Sequence, residues 1–177
     1  MKNIIFISVI LSLFTGCIKL NEIGTEESGS NQISSLIFQS EYTNYAWGYN
    51  HNGWMMDGTG KVKSFIKTAP WVFPDSLGYL SEKDMQKNFS VCDATLTQVT
   101  STEFTLYAGK ALNCVNGTLT KPKNTMADAG EHISCFYLYE ADNKRYKRII
   151  LSMIGDWSQE NLAEKAKEVV DWMGKIK

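Results

Sequence analysis

The sequence predicts an α+β domain in which an antiparallel β-sheet built from hairpins packs against about three helices. Three observations predict this class. Pairs of β-rich runs are joined by short polar or glycine-containing turns, which is typical of hairpins. Apolar residues recur at helical spacing in separate segments, and strands do not alternate regularly with helices as they do in a parallel sheet. A hydrophobic content of 44% indicates a chain that folds rather than one that stays disordered.

The first half of the domain is predicted to consist mostly of strands. Residues 37–42 alternate partly in hydrophobicity, as a strand does. Residues 53–56 and 61–66 flank Asp57-Gly58-Thr59-Gly60, and this pattern predicts a hairpin because glycine tolerates the positive φ of tight turns. Residues 68–79 hold two prolines among large apolar side chains, which predicts an irregular loop pinned by aromatics.

The middle of the chain is predicted to contain two helices. Ser81 is the expected N-cap of a short helix that ends near residue 89. Residues 91–99 are then expected to form a strand, and a second helix is expected to begin at Ser101 or Thr102. The apolar residues of that second helix recur at helical spacing: Phe104, Tyr107, Ala108, Ala111 and Leu112.

The last third is predicted to hold a long loop, a hairpin and a helix. Residues 113–130 contain Gly117, Pro122 and Gly130, so we expect little regular structure there. Residues 132–139 and 146–154 are β-rich runs joined by a polar connection, which predicts a hairpin. Ser158 is the expected cap of a final helix over residues 159–175. Its predicted apolar stripe contains Leu162, Ala166, Val169, Val170, Met173 and Ile176.

The N-terminus has the pattern of a secretory signal. Lys2 precedes an apolar run over residues 4–14, and this run has the length of a signal-peptide core, about a dozen residues. A transmembrane helix needs about 20 apolar residues, and here Lys19 and Glu22 interrupt the run too early. We therefore expect residues 1–16 to be a removable signal peptide.

The end of this segment, Leu13-Phe14-Thr15-Gly16-Cys17, resembles the lipobox of bacterial lipoproteins. Thr15, Gly16 and Cys17 fit that motif, whereas Phe14 stands where the family usually has Leu. The resemblance implies that Cys17 is the lipidation site, and that fatty acyl chains such as palmitate attach the mature protein to a membrane. Two or three acyl chains make a durable anchor.

The resemblance also implies an address in the bacterial cell envelope. Residues 17–34 are rich in Asn, Glu, Gly and Ser and are predicted to be a flexible tether, with a single domain over residues 35–177. The early glutamates loosely resemble the acidic signals that send some lipoproteins to the outer face. We favour the outer membrane, and the sequence leaves open whether the protein faces the periplasm or the cell surface.

Charge and cysteine content narrow the class of partner. The 18 basic and 19 acidic residues nearly cancel, so no basic face is predicted for a nucleic acid. An exported domain can keep disulfides, and with Cys17 lipidated the remaining cysteines are Cys92, Cys114 and Cys135. At most one bridge can form among them; Cys92 with Cys114 is the favoured pair, and the other pairings stay open.

The densest feature is a group of aromatic residues early in the domain. If residues 45–51 are extended, Tyr45, Trp47, Tyr49 and His51 share one face, and Trp54 follows closely. One hypothesis is a platform on which a sugar ring or a peptide stacks. The alternative, which residue type favours, is that this stripe is the inner face of the sheet.

No pattern for catalysis, a metal or a cofactor is found. The chain has two histidines, and His132 and Cys135 would point to opposite faces of a strand, so they cannot share an ion there. Asp128 and Glu131 lack the ligand spacing of a calcium loop. The cysteines lack the context of a catalytic thiol, and no serine-hydrolase elbow, phosphate loop or zinc-protease motif occurs. No catalytic, metal or cofactor residue is predicted.

The sequence therefore favours a non-enzymatic binding or interaction module, anchored in the envelope through lipid on Cys17. A glycan, a peptide or another envelope protein are the partners that fit. Two alternatives stay open: an envelope hydrolase whose site is not recognisable in sequence, and a structural or assembly lipoprotein. A binding module requires the aromatic stripe on the surface, whereas an enzyme requires converging polar groups in a cleft.

Overall fold

The computed structural model describes residues 32–67, 70–93 and 95–176. The predicted signal peptide, Cys17 and most of the predicted tether lie outside these residues.

The described residues form nine strands and three α-helices of eight residues or more. The strands are β1 (Ile37–Asn44), β2 (Asn50–Met56), β3 (Lys61–Ile66), β4 (Tyr79–Ser81), β5 (Thr95–Gln98), β6 (Lys123–Asn124), β7 (Glu131–Glu140), β8 (Arg145–Gly155) and β9 (Trp157–Glu160). The helices are α1 (Glu82–Ser90), α2 (Ser101–Leu112) and α3 (Ala166–Met173).

All nine strands belong to one antiparallel sheet. Its order is β5-β3-β2-β1-β7-β8-β9-β6, and β4 pairs with β8 beside this path. The predicted α+β class is confirmed. Both predicted hairpins are also confirmed: β2 and β3 join through a turn in which Asp57 Oδ1 accepts the Thr59 N–H at 2.9 Å, and β7 and β8 join through a 3-10 turn at Ala141–Asn143.

Strand β1 lies in the middle of the sheet, and its first and last residues mark two opposite ends of the domain. Phe38 lies opposite both Met56 and Phe136, and Asn44 lies opposite Asn50 at the other end of the strand. The turn between β2 and β3 packs against Ser34, so the polypeptide enters β1 at that end. An eight-residue strand is about 25 Å long, which is the separation between this entering end and the connection from β1 to β2.

One face of the sheet, here called the two-helix face, is covered by α2 and α3. Phe38 is fully buried there, with its ring centroid 5.9 Å from Phe104, 6.1 Å from Phe136 and 5.2 Å from Trp172. Aromatic pairs at these separations add stabilisation beyond the area they bury. The other members of this apolar cluster include Leu36, Trp54, Met56, Val62, Ala108, Ala111, Leu151, Val169 and Met173.

The opposite face, here called the loop face, is covered by α1 and by residues 70–78. Ile37, Met55, Phe65 and Tyr137 are buried on it. The buried Asn88 of α1 holds the loop in place: its Oδ1 accepts the Val72 N–H at 2.9 Å and its Nδ2 donates to the Val72 carbonyl at 2.7 Å. The predicted irregular loop is confirmed over the residues that the structure describes.

The beginnings of α1 and α2 follow ordinary capping chemistry. Ser81 caps α1 as predicted, since its Oγ accepts the Asp84 N–H at 3.1 Å. Thr100 caps α2, with its Oγ1 accepting the Glu103 N–H at 3.2 Å. The predicted second helix is therefore confirmed, and its cap lies one residue before Ser101.

The predicted helix over residues 159–175 is wrong in its first half. Trp157–Glu160 is strand β9, whose Gln159 lies opposite Met153 of β8. Asn161 ends this strand: its Nδ2 donates to the carbonyls of Cys114 and Ile150, and its Oδ1 accepts the Ala163 N–H at 2.9 Å. Pairing with distant strands overrides local helical preference here, so Ser158 caps no helix.

Two further segments differ from the prediction: one strand is shorter than expected, and one short strand lies where a loop was expected. Among the described residues of the segment 91–99, Thr95–Gln98 form a strand, β5, which lies at the edge of the sheet and pairs with β3. The long predicted loop contains the two-residue strand Lys123–Asn124, which pairs with β9. Both strands form by pairing with distant strands, which the local sequence pattern does not predict.

Candidate functional site

The connection between β1 and β2 carries three exposed aromatic side chains. Tyr45, Trp47 and Tyr49 are 66%, 83% and 42% exposed. We call these three residues, with Ala46 and Gly48 between them, the aromatic tip. Gly48 has a φ of +98°, a conformation that glycine adopts without strain, and this lets the chain reverse direction. Trp47 therefore stands at the outermost point of the hairpin.

The predicted continuous stripe is wrong, because residues 45–49 are not extended. Of its five members, Tyr45, Trp47 and Tyr49 are on the surface, whereas His51 and Trp54 are buried. His51 packs on the loop face against Phe65, and Trp54 packs on the opposite face. The hypothesis of a surface platform therefore fits the three exposed residues, and the alternative of a sheet interior fits the two buried ones.

The aromatic rings form a chain from the tip to the interior. The ring centroids of Tyr45 and Tyr49 are 5.5 Å apart, and Tyr49 lies 6.2 Å from His51. Phe73 of the covering loop is 40% exposed and its ring lies 5.2 Å from His51. Partial burial raises the pKa of Tyr49, with further contributions from Tyr45 and Glu41. Tyr49 is consequently a neutral hydrogen-bonding group at physiological pH.

Hydrogen bonds from asparagine fix the base of the aromatic tip. Asn44 Nδ2 donates to the Tyr42 hydroxyl and to the Asp128 carbonyl, each at 3.0 Å. Asn44 Oδ1 accepts the Ala46 N–H at 2.8 Å, and the Tyr42 hydroxyl donates to the Ala129 carbonyl at 3.0 Å. The tip is thus tied to the segment before β7 by side-chain bonds and not only by the β1–β2 ladder.

Behind the tip lies a buried charged group on the loop face. His51 Nε2 lies 2.8 Å from Glu41 Oε2, with the two side chains 0% and 2% exposed. Arg148 Nη1 lies 3.7 Å from Glu41 Oε1, so Glu41 has a cation on its other oxygen. His51 Nδ1 has no hydrogen-bond partner among the described residues. Removing one member of a contact this deep leaves the polar groups of the other unpaired, and that loss is strongly destabilising.

Tyr137 and Cys135 lie on the same face near this charged group. The positive charge of Arg148 lowers the pKa of the Tyr137 hydroxyl and so partly opposes the effect of burial. Burial raises the pKa of both the Tyr137 hydroxyl and the Cys135 thiol, so both remain protonated at neutral pH. Neither is an activated nucleophile, because only the thiolate or phenolate attacks. The group is therefore suited to bracing the sheet beneath the tip.

The two-helix face carries one serine–histidine contact. Ser40 Oγ lies 3.0 Å from His132 Nε2. A serine hydrolase also needs a third group that orients the histidine and donors for an oxyanion. No carboxylate among the described residues is hydrogen-bonded to the other ring nitrogen of His132. The contact lacks the geometry of a catalytic triad.

The expected disulfide is not formed. Cys92, Cys114 and Cys135 are free thiols. Cys92 packs on the loop face and Cys114 on the two-helix face, so the sheet separates the favoured pair. Burial raises the pKa of Cys92 to about 11 and also raises that of Cys114. All three are consequently protonated thiols, with Cys114 and Cys135 buried and Cys92 partly buried at the edge of its cluster.

Neither a metal centre nor a polar catalytic cleft is found among the described residues. They contain no group of three or more His, Cys, Asp or Glu side chains that could hold an ion. A cavity of about 220 Å³ between α3 and the sheet includes Ile154, Lys167 and Val170 in its wall. A second cavity, of about 310 Å³, lies beside Arg148 and Asp75. Neither cavity reaches the aromatic tip.

Sequence reasoning missed Glu41, Arg148 and Phe73 as neighbours of the tip. The position of Glu41 could have been noticed, because residues 37, 39 and 41 share one face of the predicted strand. A charged side chain on a buried face needs a buried partner. The identity of that partner depends on strand order and was not visible in sequence. Phe73 was expected to pin its loop but not to lie near Tyr49.

Comparison with known proteins found no matching family model, no matching curated protein and no matching solved structure. Within the part of the chain that the structure describes, no helix is both long and apolar enough to cross a membrane.

Proposed function

We propose that this protein is a lipid-anchored envelope binding module whose contact surface is the aromatic tip. The exposure of Tyr45, Trp47 and Tyr49 on one connection is the observation that carries the proposal. Large aromatic side chains normally contribute to a core, and clustered exposure of them marks a binding surface. The cavities and thiols described above lack the converging, activated groups of an enzyme, which favours a binding role over hydrolysis.

The rigid base of the tip supports the same role. Binding costs less conformational entropy when the contacting groups are held in place beforehand. The bonds of Asn44 to Tyr42, Ala46 and the Asp128 carbonyl hold the tip in this way. A merely mobile loop would not need such an arrangement.

The direction of the tip relative to the proposed anchor also fits a binding module. The lipid on Cys17 would precede residue 32 in the chain, and the chain enters β1 at the end opposite to the tip. The two ends are about 25 Å apart along β1. A domain held to a bilayer through the predicted flexible tether over residues 17–34 would therefore be free to present Trp47 away from that bilayer.

Retention by envelope material tests the contact surface. We expect purified Cys17→Ser protein to co-sediment with isolated bacterial envelopes, and a variant with Tyr45, Trp47 and Tyr49 all changed to Ala to remain in the supernatant. Leu162, 66% exposed and outside the tip, provides a matched Leu162→Ala control that should still sediment. Equal sedimentation of the triple variant and the control would contradict the proposal.

The anchor is tested separately. The wild-type protein should partition into detergent and carry acyl groups on its mature N-terminus, as measured by mass spectrometry. Cys17→Ser should partition into the aqueous phase without acyl groups. An unchanged, membrane-bound product from Cys17→Ser would overturn the lipoprotein assignment while leaving the role of the tip open to the sedimentation assay.

A further inference from the structure

We infer that the aromatic tip binds the ring faces of a neutral carbohydrate. This inference rests on the proposed function and deepens it by naming the class of ligand. Sugar rings present patches of C–H groups that stack on aromatic faces, together with hydroxyl groups that need hydrogen-bond partners at the edge of the stack. Each requirement has a counterpart at the tip.

The first step concerns charge. Residues 42–56 contain no Lys, Arg, Asp or Glu, and the one histidine among them, His51, is fully buried. The carboxylate recorded behind the rings is that of Glu41, whose Oε2 lies 2.8 Å from His51 Nε2. An anionic ligand would find no cation within residues 42–56 to pair with. The composition of the tip therefore favours a neutral ligand.

The second step concerns the arrangement of the rings. Tyr45 and Tyr49 are in contact, with an interplanar angle of 39°, so no gap between them can enclose a cation. An aromatic cage for a quaternary ammonium group needs ring faces that converge around an open space. The two tyrosine rings instead form one apolar surface, and the 83% exposed Trp47 lies between them in the chain. Such a surface suits stacking of a flat, neutral ring.

The third step concerns hydrogen bonding. The hydroxyl groups of Tyr45 and Tyr49 have no hydrogen bond to the described residues, so each can still donate and accept. The amides of Asn50 and Asn52, joined by a 3.1 Å bond from Asn52 Nδ2 to Asn50 Oδ1, lie on the other face of β2 from His51. The two phenol hydroxyl groups at the edge of the aromatic surface match the hydroxyl groups of a sugar.

The fourth step concerns the anchoring bilayer. Exposed Trp and Tyr side chains also occur at membrane interfaces, but surfaces that bind anionic bacterial bilayers combine aromatic side chains with Lys or Arg. Residues 42–56 contain neither Lys nor Arg. This composition favours a glycan of the envelope over the membrane surface, and the vesicle titration below tests that preference.

Titration with defined oligosaccharides tests this inference. The probes are three neutral hexasaccharides, built from β-1,4-linked N-acetylglucosamine, β-1,4-linked glucose and α-1,4-linked glucose, each added to the Cys17→Ser protein at up to millimolar concentration. We expect at least one to bind by calorimetry. Trp47→Ala should weaken that binding about tenfold or more, as truncation of a central aromatic contact does, and Leu162→Ala should leave it unchanged.

Control probes separate failure of this inference from failure of the proposed function. Choline, a heparin-like polyanion and vesicles of phosphatidylethanolamine with phosphatidylglycerol are titrated in parallel. If no hexasaccharide binds while the envelope sedimentation still depends on the tip, the carbohydrate assignment is wrong and the binding module stands. If sedimentation is also independent of the tip, both are wrong. Unfolding midpoints of each variant confirm that loss of binding is not loss of fold.

Discussion

The two faces of the sheet solve the problem of burial in different ways, although the same strands build both. On β1, Phe38 points to the two-helix face and enters a cluster of aromatic rings. Glu41, three residues later, points to the loop face and contacts His51 and Arg148. The centre of one face is an apolar cluster, whereas the other contains a buried carboxylate that must remain paired.

This difference predicts different sensitivities to substitution. Apolar packing loses stability in proportion to the volume removed, and a neighbouring side chain can partly fill the space. A buried ion pair behaves differently, because removal of one partner leaves the other charge desolvated. The two-helix face should therefore respond to the size of a substitution, and the loop face to its polarity.

The largest effect is expected for Phe38→Ala on the two-helix face. Truncation of a fully buried Phe removes its contacts with Phe104 and Trp172 and leaves a cavity, which costs about 3–5 kcal/mol. Denaturant unfolding followed by circular dichroism measures the change. Phe38→Leu should recover more than half of the loss; a Leu variant as unstable as the Ala variant would contradict an explanation based on volume.

A comparable loss is expected for Glu41→Leu on the loop face, although the side-chain volume barely changes. The substitution leaves His51 and Arg148 without their carboxylate, which costs about 3 kcal/mol or more. Arg148→Met is then combined with Glu41→Leu. The double variant should lose less free energy of unfolding than the sum of the losses of the two single variants, by about 0.5–3 kcal/mol. Additive losses would show that these residues do not interact.

The helix caps should be equally important on the two faces. Ser81→Ala and Thr100→Ala each remove the acceptor of a helical N–H, and each should cost about 1 kcal/mol in the free energy of unfolding. Ser101→Ala provides the control for α2, because Ser101 follows the cap and is exposed. If Ser101→Ala lowered the free energy of unfolding as much as Thr100→Ala, the assignment of Thr100 as the cap would be wrong.

The smallest effect is expected from Glu131 at the edge of the loop face. Burial raises its pKa, the nearby Asp156 raises it further and Arg148 opposes the shift. The folded state therefore holds this proton more tightly than the unfolded state, and the contribution to stability falls as pH rises from the unfolded pKa, about 4.3, through the folded pKa. Unfolding of Glu131→Gln should show a smaller fall over this range than wild type or Glu164→Gln.

The fold class could be predicted because its main elements are local. The turn at Asp57–Gly60 and the polar connection between β7 and β8 each bring adjacent strands together over a few residues, and Ser81 marks the start of α1 directly. The sheet order could not be predicted in the same way. Strand β9 forms by pairing with β6 and β8, which are distant in sequence. The helical spacing of the apolar residues from Leu162 onwards led to a predicted helix that began too early and included β9.

The aromatic tip was only half visible in sequence. Residue types identified Tyr45, Trp47 and Tyr49 as a group, but the turn at Gly48 breaks the alternation from which their common face was predicted. Beyond the turn, strand geometry places His51 and Trp54 on opposite faces. The buried partners of His51 lie on β1 and β8, and only the folded sheet brings them together.

The central position of β1 has a mechanical consequence. A ligand that pulls on Trp47 while the N-terminus is held loads β1 along its length. The strand is already almost fully extended, and its hydrogen bonds to β2 and β7 run across the line of tension, so the load stretches β1 itself without opening either ladder. The hairpin that carries the tip is thereby connected to the point of attachment by the part of the sheet best able to resist extension.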